Sequence, residues 1–467
     1  PFDIVAPRTA EEIWSLSSAS SLRIPLGRSG ATKLQYMTLG LGTAQHALIA
    51  GRTGSGKSTL MHVVITNLAL WYSPDEVELY LVDFKKGVEF KAYATHELPH
   101  ARVIAVESER EFGLSVLRRL DAELTMRGQL FRDLGVQDLA AYRRVAGNGH
   151  PTLPRVVFIV DEFQEYFVED DKLAQEASLL LDRLVRQGRA FGMHVVLGSQ
   201  TLGGAYSLAR STLGQMAIRV ALQCSEADSY LIMSEDNNAP RLLSRPGEAI
   251  YNDASGMLEG NSPFQIVWLP EEKREEKLAQ VQTRLEESTI TKRAPAIVFE
   301  GNIAADIERN HLLMELLSAE TLSQGGARSG QIQGWLGEAI SIKDPTAMPF
   351  RRQSAANLLV VGQQEEAAVT MLCALAISLA AHRSHQPRFV FLDSTPADSP
   401  QYGMFESLAG RLVPGQAGIP AFTAMRGVTD TIVALANELA AREAGTSTDQ
   451  SPIFMIAMGI HRYRDLR

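Results

Sequence analysis

Eight consecutive residues, Gly51-Arg52-Thr53-Gly54-Ser55-Gly56-Lys57-Ser58, have the types and spacing of a phosphate-gripping loop: Gly, four residues, then Gly-Lys and a hydroxyl. A polyphosphate has to be wrapped closely by backbone N–H groups, and glycines let the chain turn there without Cβ collisions. In this reading Lys57 reaches the β- and γ-phosphates and the Ser58 hydroxyl helps to hold Mg²⁺. Gly51, Thr53, Gly54, Ser55, Gly56, Lys57, Ser58 and Thr59 are the expected nucleotide-binding residues, with ATP and Mg²⁺ as the ligands.

A second stretch supplies the acids. Val156-Val157-Phe158-Ile159-Val160-Asp161-Glu162 is an apolar run that ends in two carboxylates. Asp161 suits Mg²⁺ through its water shell, and Glu162 suits orienting and deprotonating an attacking water. A third run, Met193-His194-Val195-Val196-Leu197-Gly198-Ser199, ends in Gln200, an amide that could read the γ-phosphate or the water and pass the change to residues 201–211. A satisfied structural glutamine is the plain alternative there.

These residues need a common edge, and the flanking pattern provides one. His46-Ala47-Leu48-Ile49-Ala50 reads as a buried strand before the glycine-rich loop, and residues 59–70 have helical spacing after it. The helix N-terminus then points its positive end at the anion. Short apolar runs at 77–84, 102–106, 156–160, 193–198, 217–222, 248–251 and 264–269 are further strands. Residues 111–134 and 173–190 read as helices, and residues 21–38 as an edge hairpin. Alternation of strand and helix predicts an α/β fold with a mainly parallel, doubly wound sheet that collects ligands at its carboxyl edge.

Composition bounds the rest. The 467 residues exceed one core and fit two or three domains. A hydrophobic share of 45% is that of a globular protein, and no apolar run approaches the roughly 20 residues that a bilayer span needs. The two cysteines, Cys224 and Cys373, have no ligand spacing, which suits a cytoplasmic setting. A net charge of −9 argues against wholesale coating of nucleic acid, while leaving room for a few basic loops. Because the chain starts at Pro1, it is expected to be a piece of something longer, with any membrane contact made by regions outside it.

Taken together, the phosphate loop, Leu81-Val82-Asp83-Phe84-Lys85, Val160-Asp161-Glu162-Phe163, and the run from Arg183 through Arg189 and His194 to Ser199-Gln200 resemble the FtsK/SpoIIIE family of motor ATPases, in the RecA-like branch of P-loop NTPases. The resemblance covers residues 21–269 and implies a homo-oligomeric, hexameric or ring-like motor. Family members pull double-stranded DNA through a channel or, in the type VII secretion branch, handle exported proteins. It also implies an arginine that completes the neighbouring subunit's site. Arg127 lies where the secretion branch carries its inserted arginine, and Arg119 is the reserve.

Beyond residue 270 the pattern weakens. Residues 1–20 read as the end of a linker, 21–270 as the active module, 271–330 as a charged helical connector with a flexible break at 323–330, and 331–467 as a degenerate second P-loop-like α/β module. In that copy 357–362 reads as a buried strand and 388–393 as the partner of 77–83. Glu365 and Glu366 stand in the loop, Ala368 and Val369 replace Lys57 and Ser58, and Met458 and Gly459 replace Asp161 and Glu162. Without lysine, hydroxyl or carboxylates this copy should be inert. The readings that follow are an ATP-driven translocase of double-stranded DNA, a protein-export motor with a secreted substrate, and a nucleotide-switched scaffold with slow turnover.

Overall fold

A computed structural model describes the chain except for residues 86–88, 147–150, 202–209, 291–293, 302, 319–331, 413–418 and 465–467. It divides into two compact units, Pro1–Ile303 with Ile340–Ile342, and Ala304–Ala339 with Lys343–Arg467.

The front unit contains strands β1 (Leu22–Ser29), β2 (Lys33–Leu39), β3 (Ala47–Ala50), β4 (Val77–Asp83), β5 (Ala101–Val106), β6 (Arg155–Asp161), β7 (Met193–Ser199), β8 (Ile218–Ala221), β9 (Glu248–Asn252), β10 (Ser262–Ile266) and β11 (Ile297–Glu300). Its helices are α1 (Lys57–Trp71), α2 (Lys91–Thr95), α3 (Arg110–Asp133), α4 (Leu139–Val145), α5 (Lys172–Gln187), α6 (Arg210–Gly214), α7 (Glu226–Ile232) and α8 (Glu271–Glu287). The strands form one sheet in the order β11-β5-β4-β6-β7-β3-β8-β9-β10-β1-β2. Pairing is parallel from β11 to β8 and antiparallel from β8 to β2.

Strand periodicity splits the core between the two faces. On β6, Val157 and Ile159 enter one apolar cluster, with α1, while Val156, Phe158 and Val160 enter the other, with α3 and α5. Helices thus cover both faces, which explains why the central strands are apolar throughout.

Three stretches differ from the sequence reading. Residues 1–20, expected as a linker end, pack into the front core: Phe2, Val5 and Ile13 are buried, and the Trp14 indole donates to Ala69 O at 2.9 Å. Their apolar residues sit on irregular turns with no period of 2 or 3.6, so no pattern marked them. The charged connector helix, α8, buries Leu278 and Val281 in the core that α1 shares. Within the same expected connector, β11 forms a strand and pairs in parallel with β5 of the front sheet. The break expected at 323–330 and the loop at 202–209 lie outside the described residues.

The rear unit holds α9 (His311–Leu317), a hairpin of β12 (Ile332–Gly337) and β13 (Thr346–Phe350), then α10 (Glu365–Ala380), β14 (Arg388–Asp393), α11 (Met404–Leu412), β15 (Phe422–Ala424), α12 (Val428–Glu443) and β16 (Ile453–Met458). Its parallel sheet, β15-β14-β16, repeats the front order β5-β4-β6. The register repeats too: Asp393 pairs with Met458 as Asp83 pairs with Asp161. The strand expected at 357–362 does not form, and Leu359 and Val361 are 75% and 87% exposed. In the front unit the corresponding strand, β3, pairs with β7 and β8, and among the described residues the rear unit has no strand after β16. An isolated strand has no ladder to hold it.

Candidate active site

Parallel pairing brings the ends of β3, β4, β6 and β7 to one edge: Ala50 is opposite Ser199, and Asp83 opposite Asp161. The phosphate loop follows β3. Gly54 and Gly56 have φ of +78° and +109°, where a side chain would be strained. The loop is anchored by Gly51 N–H to Ser199 O at 3.2 Å and Arg52 N–H to Gln223 O at 2.9 Å. α1 then starts at Lys57, with Ser58 and Thr59 in its first turn.

Lys57 is buried, and its ammonium meets both acids. It is hydrogen-bonded to Asp161 Oδ1 and donates to Glu162 Oε1 at 2.8 Å. Glu162 is bent into the left-handed region, φ +54° and ψ +49°, which for a side chain other than glycine costs about 1–3 kcal/mol. Three interactions hold it there: Lys57, the Gln164 side-chain amide at 2.8 Å, and the Gln200 N–H at 3.0 Å. Burial pushes its carboxyl up, but the Lys57 charge and these hydrogen bonds outweigh that and hold it below the usual range. Glu162 is therefore a carboxylate at neutral pH.

Because β7 lies between β3 and β6, its end sits between the loop and the acids. Gln200 uses that position. Its N–H binds Glu162, and its side-chain oxygen accepts from the Thr53 hydroxyl at 2.8 Å. Strand β7 also needs Gly198, where a Cβ would stand 2.8 Å from Asp161 Oδ1 and 2.2 Å from Met61 Cε. Glycine inside a strand is the signal that would have marked this close approach.

Two further acids lie beside this edge. Burial pushes the Asp83 carboxyl up to about 7; the Lys85 N–H, 2.9 Å away, opposes this, while the negative Asp161 and Glu89 add to it. Glu89 bonds to His62 Nε2 at 3.1 Å, and His62 Nδ1 to the Tyr93 hydroxyl at 2.8 Å. The His62 hydrogen bond, opposed by burial and aided by the Ser58 hydroxyl, holds Glu89 down to about 2. Ser58 and His62 are four residues apart on α1, so they share a face, a spacing that could have been read from the sequence.

Arg127 is not where a trans-acting arginine must be. It is 0% exposed, donating from Nε to Glu123 at 2.7 Å and from Nη1 to the carbonyls of Pro154 and Phe191 at 2.9 and 2.8 Å. Its helix turns it inward to fasten α3 to the loops flanking β6 and β7. Arg119, on the same helix, is exposed.

The edge fits the ligands expected of it. A cavity of about 360 Å³ is lined by the loop, Lys57, Ser58, Thr59 and Gln200. Left-handed glycines, a buried lysine and a helix N-terminus suit a triphosphate. The hydroxyl of Ser58 and the carboxylate of Asp161 are hard oxygen donors of the kind that hold Mg²⁺ together with phosphate oxygens and water.

Residues 10–203 match the model of the FtsK/SpoIIIE family. The chain is 32% identical over 264 residues to the ESX-5 secretion system protein EccC5 of Mycobacterium marinum, a match covering 54% of this chain and 18% of that protein. It is 29% identical over 279 residues to the DNA translocase FtsK of Streptococcus pyogenes, covering 57% and 33%. The chain thus spans a third or less of these relatives' length. Among solved structures, the cytoplasmic domain of the type VII secretion ATPase EccC from Thermomonospora curvata superposes with a TM-score of 0.62 at 20% identity, over 98% of this chain and 56% of that one. The chain shares its fold with that ATPase's cytoplasmic domain, and its residues 10–203 match the FtsK/SpoIIIE family model.

Proposed function

With an FtsK/SpoIIIE family domain as the premise, we propose that the front unit binds and hydrolyses ATP to move a polymer, and that the polymer is double-stranded DNA. The observation that carries the ATPase reading is the convergence of Lys57, Asp161, Glu162 and Gln200 at one sheet edge beside the glycine-rich loop. In this reading the loop N–H groups and Lys57 take the β- and γ-phosphates. Ser58 and Asp161 hold Mg²⁺, which when bound neutralises charge on the transferring phosphate. Glu162 accepts the proton of the attacking water, its carboxylate kept ionised by its neighbours. Gln200 ties the loop to the base and reports on the phosphate through Thr53.

Catalysis of this type is mostly positioning and charge stabilisation, so a neighbouring subunit's arginine fits the scheme. With Arg127 buried, Arg119 takes that role in a ring of identical subunits. The choice of DNA rests on the likeness to a DNA translocase. Protein export is the second reading; it is supported by the likeness to a secretion protein and by the rear unit, whose strand order repeats part of the front sheet.

The deciding experiment is the ATPase rate of the chain alone, with duplex DNA, and with secreted substrate protein. Stimulation by DNA that weakens as salt rises supports the first reading. Stimulation by the protein alone replaces it with the second. Slow turnover in every arm with ATP bound leaves a nucleotide-switched scaffold.

A further inference from the structure

The cavity over the phosphate loop has a wall that phosphate chemistry does not use. Besides the loop, Pro246, Ile266, Val267 and Trp268 line it. Trp268 is 66% exposed, and among the described residues no aromatic ring packs on it. Its neighbours, Val267 and Leu269, are both buried.

The backbone that carries this ring is fixed to the loop. Gly247 N–H donates to Ser55 O at 2.8 Å, Ile266 N–H to Gly247 O at 2.9 Å, and Val267 N–H to Leu26 O at 3.2 Å. A Cβ on Gly56 would meet Gly247 N at 3.2 Å, so the two segments touch. An indole leaves a large apolar face in water unless something covers it. Here the face belongs to a cavity whose other wall is built for a triphosphate, and the group joined to a triphosphate is a nucleoside.

We propose that Trp268 is the platform on which the nucleoside base stacks, making it the residue that sets base preference at this site. The proposal rests on the reading of the cavity as a nucleotide site and adds the part of the ligand that the phosphate loop does not read. Stacking responds to ring area and tolerates different edges. The site therefore favours purine over pyrimidine nucleotides, with little distinction between adenine and guanine from this contact.

The test is calorimetric titration of the full chain and its Trp268→Ala and Trp268→Phe variants with Mg-ATP, Mg-CTP and Mg-tripolyphosphate. Expected are tighter ATP than CTP binding by the parent and an ATP affinity about tenfold to a hundredfold weaker in Trp268→Ala. Tripolyphosphate affinity should be unchanged, and Trp268→Phe should keep most of the ATP affinity. Unchanged tripolyphosphate binding also shows that the alanine variant is folded. If Trp268→Ala binds ATP as the parent does, the base lies elsewhere and the proposal fails while the nucleotide site stands. If the parent binds neither ATP nor tripolyphosphate, the site itself fails and the proposal with it.

Discussion

Lys57 donates to Glu162 Oε1 at 2.8 Å, so the two residues proposed as phosphate-binding cation and hydrolytic base hold each other directly. A triphosphate entering the loop competes with Glu162 and Asp161 for the same ammonium. Glu162→Gln removes one of those charges and the base together. The expected outcome is ATP binding at least as tight as in the parent, with the hydrolysis rate lower by about 10²–10⁴. Calorimetry beside single-turnover assays checks this, and normal turnover by the glutamine variant would refute the assignment. Lys57→Ala should abolish ATP binding in the same calorimeter.

Arg127 and Arg119 separate structure from chemistry on one helix. Arg127→Met leaves Glu123 and two carbonyls without their donor, and urea unfolding should show a loss of about 3 kcal/mol. Mixing that variant with Glu162→Gln protein should restore nothing. Arg119→Ala should change stability by less than about 0.5 kcal/mol, bind ATP, lose hydrolysis, and regain some in mixed assemblies. If Arg119→Ala protein hydrolyses ATP normally, Arg119 is not the trans-acting group.

Thr53 and Gln200 are joined across the loop by one hydrogen bond, at 2.8 Å. Thr53→Val and Gln200→Ala should each slow hydrolysis more than they weaken ATP binding. The double variant should be little worse than either, a coupling of about 0.5–3 kcal/mol. Additive effects on turnover would mean that the two residues act independently.

His46 makes the fold sensitive to mild acid. Burial depresses it to about 4, and its Nδ1 accepts the Val195 N–H at 3.1 Å. The unfolded chain takes up this proton near pH 6.5, while the folded chain refuses it until about pH 4, so stability falls as pH drops through that window. At pH 5 the loss from His46 is about 2 kcal/mol. His46→Asn keeps an acceptor without the titration. Urea midpoints at pH 7.5 and 5 should therefore differ less in the variant, and an equal difference would rule His46 out.

The sequence made the front sheet legible where the chemistry demands local spacing. Strand ends at Asp83, Asp161 and Ser199, and the turn before Lys57, follow from a few adjacent residues. Burial that comes from distant parts of the chain left no such mark. Arg127 looks like any helix arginine until Pro154 and Phe191 close over it, and Phe2 or Val5 look like linker residues until they enter the core that α1 shares. In the rear unit 357–362 has the composition of a strand, but a strand also needs a partner, which a local window does not contain. Nothing in the local sequence marks Trp268, because its meaning lies in the cavity that it shares with the phosphate loop.

Gly459 ends β16 at φ +66°, the same bend that Glu162 makes after β6. Where Glu162 must be forced into that shape, glycine takes it freely, and the space a side chain would need has been filled: a Cβ at 459 would come within 2.3 Å of Ser394 Oγ. A glutamate placed at 459 would therefore fit only once the Ser394 side chain had turned away. Ser394 thus keeps this corner closed to any residue larger than glycine, while its hydroxyl donates to the carbonyls of Met458 and Gly459 at 2.7 and 3.1 Å.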